Sequence, residues 1–130
     1  MMLNRGKRGL ALDLRSEGGR TLVRRLVSSA DVIIENFRTG TMERMGLGYS
    51  ELSTLNPRLV YCQITGYGRT GPLSHQGGFD LIAQGYSGLM SVTGEGPGRA
   101  PVKVGAPVTD ITAGILAAFG VVSALFERER

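Results

Sequence analysis

The chain is poor in the residues that build cross-links and metal centres. Its 130 residues include one cysteine, one histidine and no tryptophan. A single Cys62 excludes an internal disulfide, and a single His75 excludes a multi-histidine metal site, so no metal is expected. Cys62 lies in the apolar run L-V-Y-C-Q-I and reads as a buried strand thiol, not a nucleophile or ligand. His75 sits among Ser and Gly and reads as an exposed loop residue. A reducing cytoplasm is the compartment this thiol usage implies. Aromatic residues make up 6% of the chain, and there is no stacking platform, zinc-finger spacing or recognition helix to suggest nucleic acid. No G-x-G-x-x-G follows the first predicted strand and no G-x-x-x-x-G-K-[ST] occurs. The G-Y-G-R-T-G at 66–71 follows the third predicted strand and enters a proline-containing loop, so it is no dinucleotide fingerprint. The start, M-M-L-N-R-G-K-R-G-L-A-L, has too short an apolar run for a secretory signal. The apolar run 111–126 falls short of the roughly 20 residues a bilayer span needs. It also contains Gly114, Gly120 and Ser123, and predicts a buried helix with no membrane partner.

What remains is the composition of a globular α/β domain: 42% hydrophobic, 20% charged, with 20 glycines falling in loops between apolar runs. The net charge of +4 is uneven, because Arg5, Lys7, Arg8, Arg15, Arg20, Arg24 and Arg25 all precede residue 26. A basic N-terminal third favours an anionic partner, and a phosphate-bearing small molecule fits.

In chain order, G-L-A-L-D-L (9–14) predicts a short strand inside a sheet. Ser16 caps a following helix whose apolar face is Leu22, Val23, Leu26 and Val27, with Arg20, Arg24 and Arg25 turned to water. D-V-I-I-E (31–35) predicts a parallel strand covered on both faces. Thr41 is placed to cap a short helix ended by Gly46 and Gly48, and 49–55 predicts another, stopped by Asn56-Pro57. R-L-V-Y-C-Q-I-T (58–65) predicts the third strand. Residues 66–78 form a Gly-rich loop of the length that often carries function, and helical spacing resumes over 79–90. A second loop covers 93–101, 102–107 is extended, and the terminal helix follows.

Ligands of open parallel sheets bind beyond the carboxyl ends of the strands. Here those ends are Leu12, Asp13, Leu14 and Arg15; Asn36, Phe37 and Arg38; and the loop ending at Phe79, with Arg44 one short helix away. Guanidinium forks at such an edge suit a phosphorylated ligand. Asp110 stands where a Pro- and Gly-containing loop becomes the apolar helix, and a charge there needs a reason. Thr109 or Asp110 can supply the N-cap oxygen, and the positive helix end favours a negative charge. A structural cap and a carboxylate nucleophile satisfy that placement equally.

Five stretches in order carry a resemblance: N-R-G-K-R-G-L-A-L-D-L, A-D-V-I-I-E-N-F-R-T-G, L-N-P-R-L-V-Y-C-Q-I-T-G-Y-G-R-T-G-P, G-G-F-D-L-I-A-Q-G-Y-S-G-L-M-S-V-T-G and P-V-T-D-I-T-A-G. Together they resemble the family III CoA transferases, the CaiB/BaiF family, over essentially the whole chain. The resemblance implies part of a Rossmann-like open parallel sheet with flanking helices, ending in a long apolar helix, and an enzyme that moves CoA between an acyl-CoA donor and a carboxylic acid acceptor. It implies Asp110 as nucleophile, passing through aspartyl anhydride and thioester intermediates. It implies CoA contacts from Leu12, Asp13, Leu14 and Arg15, from Asn36, Phe37 and Arg38, from Arg44, and from Gln76, Gly77, Gly78 and Phe79. Full-length members have a further strand before N-R-G-K-R and a long C-terminal portion, so residues 1–130 are expected to be a partial CoA-binding large domain. The family's interlocked homodimers imply a second copy, or a complementary chain, as partner. Two alternatives accompany this reading: a truncated CoA-binding or association module, and a relative of the racemase branch. In that branch a histidine takes the place of Phe79, and phenylalanine cannot exchange a proton.

Overall fold

The computed structural model describes residues 4–130. The element order is α1 (Glu17–Val27), β1 (Val32–Glu35), α2 (Thr41–Arg44), α3 (Tyr49–Leu55), β2 (Val60–Gln63), α4 (Asp80–Tyr86), α5 (Leu89–Thr93) and α6 (Val108–Arg128). Helices flank a parallel sheet, so the class is α/β, and the chain ends in a long apolar helix.

Local chemistry explains the first elements. Ser16 is extended and its Oγ accepts a hydrogen bond from the Gly19 amide at 3.0 Å, so α1 starts where the sequence placed it. Glu17 in the first turn holds Arg20 at 2.7 Å and Arg24 at 3.0 Å. Those two arginines are therefore half-buried along α1 and not turned freely to water, and they hold the Glu17 carboxyl below its usual range. The Asn56 side chain donates to the carbonyls of Val27 at 2.9 Å and Ala30 at 2.8 Å, tying the end of α1 to the turn before β2.

β1 and β2 pair in parallel with Val32 opposite Val60 and Glu35 opposite Gln63. One face of this pair, with Ile33 and Tyr61, packs on the core of Val27, Met42, Leu47, Leu52 and Leu59. The other face meets α6 at β2 but leaves Ile34 57% exposed, so β1 is not covered on both sides. Cys62, on that second face, is half-buried.

Four further expectations need correction. The segment 9–14 is not a strand: it finds no strand partner among the described residues, and Leu10 is 62% exposed. An isolated run of β-prone residues has no ladder to join. Thr41 is not the cap of α2; the cap is Gly40 in the left-handed region at φ 82°. Residues 79–90 do not make one helix, because Gly88 at φ 79° separates α4 from α5. Finally, α6 is not buried: every one of its residues is half-buried or exposed. It spans 21 residues, five more than the apolar run 111–126, and is long and apolar enough by length and composition to cross a membrane. Its half-buried positions Ala113, Ala117, Val121 and Leu125 recur every four residues and form a stripe along one side. Ile115, Leu116, Phe119, Val122 and Phe126 are each more than 60% exposed on the other. At its far end Arg128 pairs with Asp31 at 2.8 Å and donates to the Arg58 carbonyl at 2.9 Å, anchoring α6 beside the start of the sheet.

Candidate active site

The carboxyl ends of β1 and β2 open onto one cleft. Asn36, the first residue past β1, donates through Nδ2 to the Ile64 carbonyl at 3.0 Å, locking the two strand ends together. Glu35, 5% exposed, accepts the Phe37 amide on Oε2 at 2.7 Å and so sets the turn that presents N-F-R. Its Oε1 is buried with no partner among the described residues. A carboxylate ending an apolar strand run was visible in D-V-I-I-E, and its role in shaping this turn is what the residue pattern did not reveal.

The Gly-rich loop leaves from β2 and returns to the same edge. Gly66 and Gly78 meet so closely that a Cβ on either would lie 2.4 Å from the other's Cα, so both ends of the loop must be glycine to cross. Gly77 lies beneath the Arg38 guanidinium, with Nε 3.4 Å from where its Cβ would be. Phe79, 68% exposed, stands at the lip.

Asn36, Phe37, Arg38 and Gln76 to Phe79 line one part of the cleft. The adjoining part, with a volume of about 480 Å³, shares Asn36, Ile64, Thr65, Gly66, Gly78 and Phe79 and adds Ala83, Thr109, Asp110, Ala113 and Gly114. The cleft thus runs from the Arg38 guanidinium to the Asp110 carboxylate. A cation at one end and an exposed carboxylate at the other suit a long ligand with an anionic head and an electrophilic tail.

Asp110 is not the N-cap of α6, and neither is Thr109. The cap position is Pro107, with no side-chain bond of its own, and Asp110 is the third helical residue. The free amides are met from another element. Asp80 Oδ1 accepts from the Thr109 amide at 2.9 Å, the Thr109 hydroxyl at 2.6 Å and the Asp110 amide at 3.4 Å. The Thr109 hydroxyl leads the bonds that hold the Asp80 carboxyl below its ordinary range, against a smaller effect of burial. The capping oxygen therefore comes from neither Thr109 nor Asp110 but from Asp80, 30 residues before Asp110 in the chain.

Not every predicted contact gathers here. Leu12, Asp13, Leu14 and Arg15 form a turn packed onto the start of α1, outside the cleft lining, where Asp13 pairs with Arg15 at 3.1 Å. Arg44 bonds the Thr41 hydroxyl at 3.0 Å and also lies outside the lining. Conversely Ile64, Thr65, Gly66, Ala83, Thr109 and Gly114 line the cleft without having been singled out as contacts. His75 is exposed on the loop.

The profile of CoA-transferase family III matches residues 1–130. The chain belongs to CoA-transferase family III. Within that family it is 49% identical over 127 residues to a succinate–glutarate CoA-transferase of Agrobacterium fabrum, covering 98% of this chain and 32% of that protein. It is 44% identical to an acetyl-CoA:oxalate CoA-transferase of Acetobacter aceti, covering 98% of this chain and 33% of the relative. Among solved structures, a CaiB/BaiF family protein from Brucella suis superposes with a TM-score of 0.92 at 48% identity, over 96% of this chain and 33% of that one. The chain therefore spans about a third of the length of the family members it matches.

Proposed function

We propose that residues 1–130 are the CoA-binding part of a CoA-transferase large domain, and that Asp110 is its acyl-accepting nucleophile. The observation that carries this reading is the continuous cleft joining Arg38 to Asp110. Family membership supports the chemistry, because the named relatives are CoA transferases.

In the proposed cycle an Asp110 oxygen attacks the thioester carbonyl of an acyl-CoA, the C–S bond breaks, and a mixed anhydride and CoA thiolate result. The thiolate attacks the aspartyl carbonyl, releasing the donor acid as its carboxylate and leaving an aspartyl-CoA thioester. The acceptor carboxylate displaces the thiolate to form a second anhydride. Attack of the thiolate on the acceptor acyl carbon yields the new acyl-CoA and restores Asp110. Dividing the transfer into covalent steps is what a nucleophile contributes. Arg38 is assigned to CoA phosphate, and the Gly-rich backbone at 76–78 to the thioester end.

Phe79 at the lip supports transfer over proton exchange at carbon, since it has no group that can carry a proton. The apolar row of α6 supports the homodimer that the family resemblance implies, with a second copy covering it. The same row favours a second reading, an association module without activity of its own.

Incubation with acyl-CoA, then hydroxylamine and peptide mass spectrometry, tests the first reading. A hydroxamate on Asp110, absent in Asp110→Asn, is the expected result. Labelling elsewhere, or equal labelling of the variant, would sink the assignment.

A further inference from the structure

Asp80 does more than begin α4. Its Oδ1 gathers the Thr109 amide and hydroxyl and reaches the Asp110 amide, while Oδ2 accepts from Gln84 Nε2 at 2.6 Å. Gln84 is fully buried, and its Oε1 accepts the Val104 amide at 2.8 Å. A chain of directed bonds therefore runs from the loop before α6, through Gln84 and Asp80, into the first turn that bears Asp110. Every link has a fixed sense: Val104 and Gln84 each donate one way, and both oxygens of Asp80 accept.

We propose that Asp80 is a positioning residue for Asp110, fixing the first turn of α6 from α4 so that the Asp110 carboxylate faces the cleft. This rests on the reading of Asp110 as nucleophile. Asp80 does not line the cleft and touches no reacting atom. It acts through the amides it holds. A helix start without a local cap is free to fray, and a nucleophile in its first turn would share that motion. The lowered carboxyl range of Asp80 is in keeping with a charged acceptor of several donors.

The bond senses supply the test. In Asp80→Asn one atom still accepts from Thr109, but the introduced amide nitrogen faces the Gln84 donor. Turning the Gln84 amide over moves the same conflict to Val104. Adding Gln84→Glu removes it, because the introduced carboxylate accepts from both sides. The chain, Asp80→Asn and Asp80→Asn/Gln84→Glu are compared by amide hydrogen exchange and by the rate of acyl-CoA labelling of Asp110 over a range of acyl-CoA concentration.

In Asp80→Asn the Thr109 and Asp110 amides are expected to exchange about fivefold faster, the size of a lost cap. The saturating labelling rate should fall about tenfold with half-saturation moved less than about twofold, since orientation and not binding is lost. The double variant should recover both. A residue that merely supports the fold would change the fraction of competent protein and leave the rate of that fraction alone. Wild-type labelling rates and exchange in folded Asp80→Asn overturn the proposal. If Asp80→Asn does not fold, a folded double variant that neither protects these amides nor labels overturns it equally. If the unsubstituted chain never labels Asp110, the nucleophile reading fails, and exchange at Thr109 and Asp110 still decides whether Asp80 fixes the turn.

Discussion

Gly66 and Gly78 touch backbone to backbone at the mouth of the cleft, 2.4 Å being the separation a Cβ on one would have from the Cα of the other. The contact joins the end of β2 to the start of α4, and so sets how far Arg38 and Gln76 stand from Asp110. Gly78→Ala is expected to separate the two strands of the loop and cost about 1–3 kcal/mol of stability, the usual range for overpacking. Thermal unfolding measures that loss. Labelling of Asp110 should fall further than stability predicts, because the cleft wall moves. A variant as stable and as reactive as the parent would show that the loop tolerates the bulk.

Arg38 is the arginine that the cleft lining contains, while Arg15 pairs with Asp13 and Arg44 with the Thr41 hydroxyl. Sequence reasoning gave all three to the ligand. The structure separates them, and calorimetry with CoA can do the same. Arg38→Ala should weaken CoA binding about tenfold and flatten its salt dependence, as loss of a charge-assisted contact does. Arg15→Ala should change affinity less than about threefold, the scale of an exposed ion pair. Equal effects of the two substitutions would return Arg15 to the site.

Much of this organisation was legible in the residues. The capping serine of α1, both paired strands and α3 ending at Leu55 follow from local chemistry, and the structure places each within two residues of its expected bounds. What was not legible depends on partners distant in the chain. Residues 9–14 have strand-like composition, but a strand is made by its neighbour. Thr109 and Asp110 looked like caps because nothing in V-T-D-I-T shows that Asp80 will supply the oxygen. The apolar run before Glu127 reads as buried by composition, yet burial is set by what lies alongside, and α6 packs on β2 and α4 with one side only.

Gly19 is buried against the turn that holds Leu12 to Arg15, and a Cβ there would stand 2.1 Å from the Asp13 carbonyl oxygen. That oxygen also accepts from the Ser16 hydroxyl at 2.7 Å, so backbone and cap share one small space. Gly19→Ala must push the turn away and is expected to cost about 1–3 kcal/mol. Ser16→Ala removes the cap and the hydroxyl's bond to the Asp13 carbonyl without adding bulk, and should cost about 1 kcal/mol. Denaturant midpoints of the two variants give the comparison. A smaller loss for Gly19→Ala than for Ser16→Ala would mean that the turn is free to shift.

Tyr61 carries the pH signature of the core. Burial first, then the Glu35 and Glu43 carboxylates, push its phenol up from 10.0 to about 12. A carboxylate or an apolar wall disfavours the phenolate, so the folded chain holds this proton more tightly than the unfolded one. Stability from this group is fully present below pH 10.0, the ordinary phenol value, and is lost as pH rises towards about 12. Spectrophotometric titration should show one tyrosine ionising late, with its step missing in Tyr61→Phe. Alkaline unfolding should likewise begin at higher pH in Tyr61→Phe once the difference in baseline stability is taken into account. A full set of tyrosines titrating together near the ordinary value, with the fold intact, would overturn this.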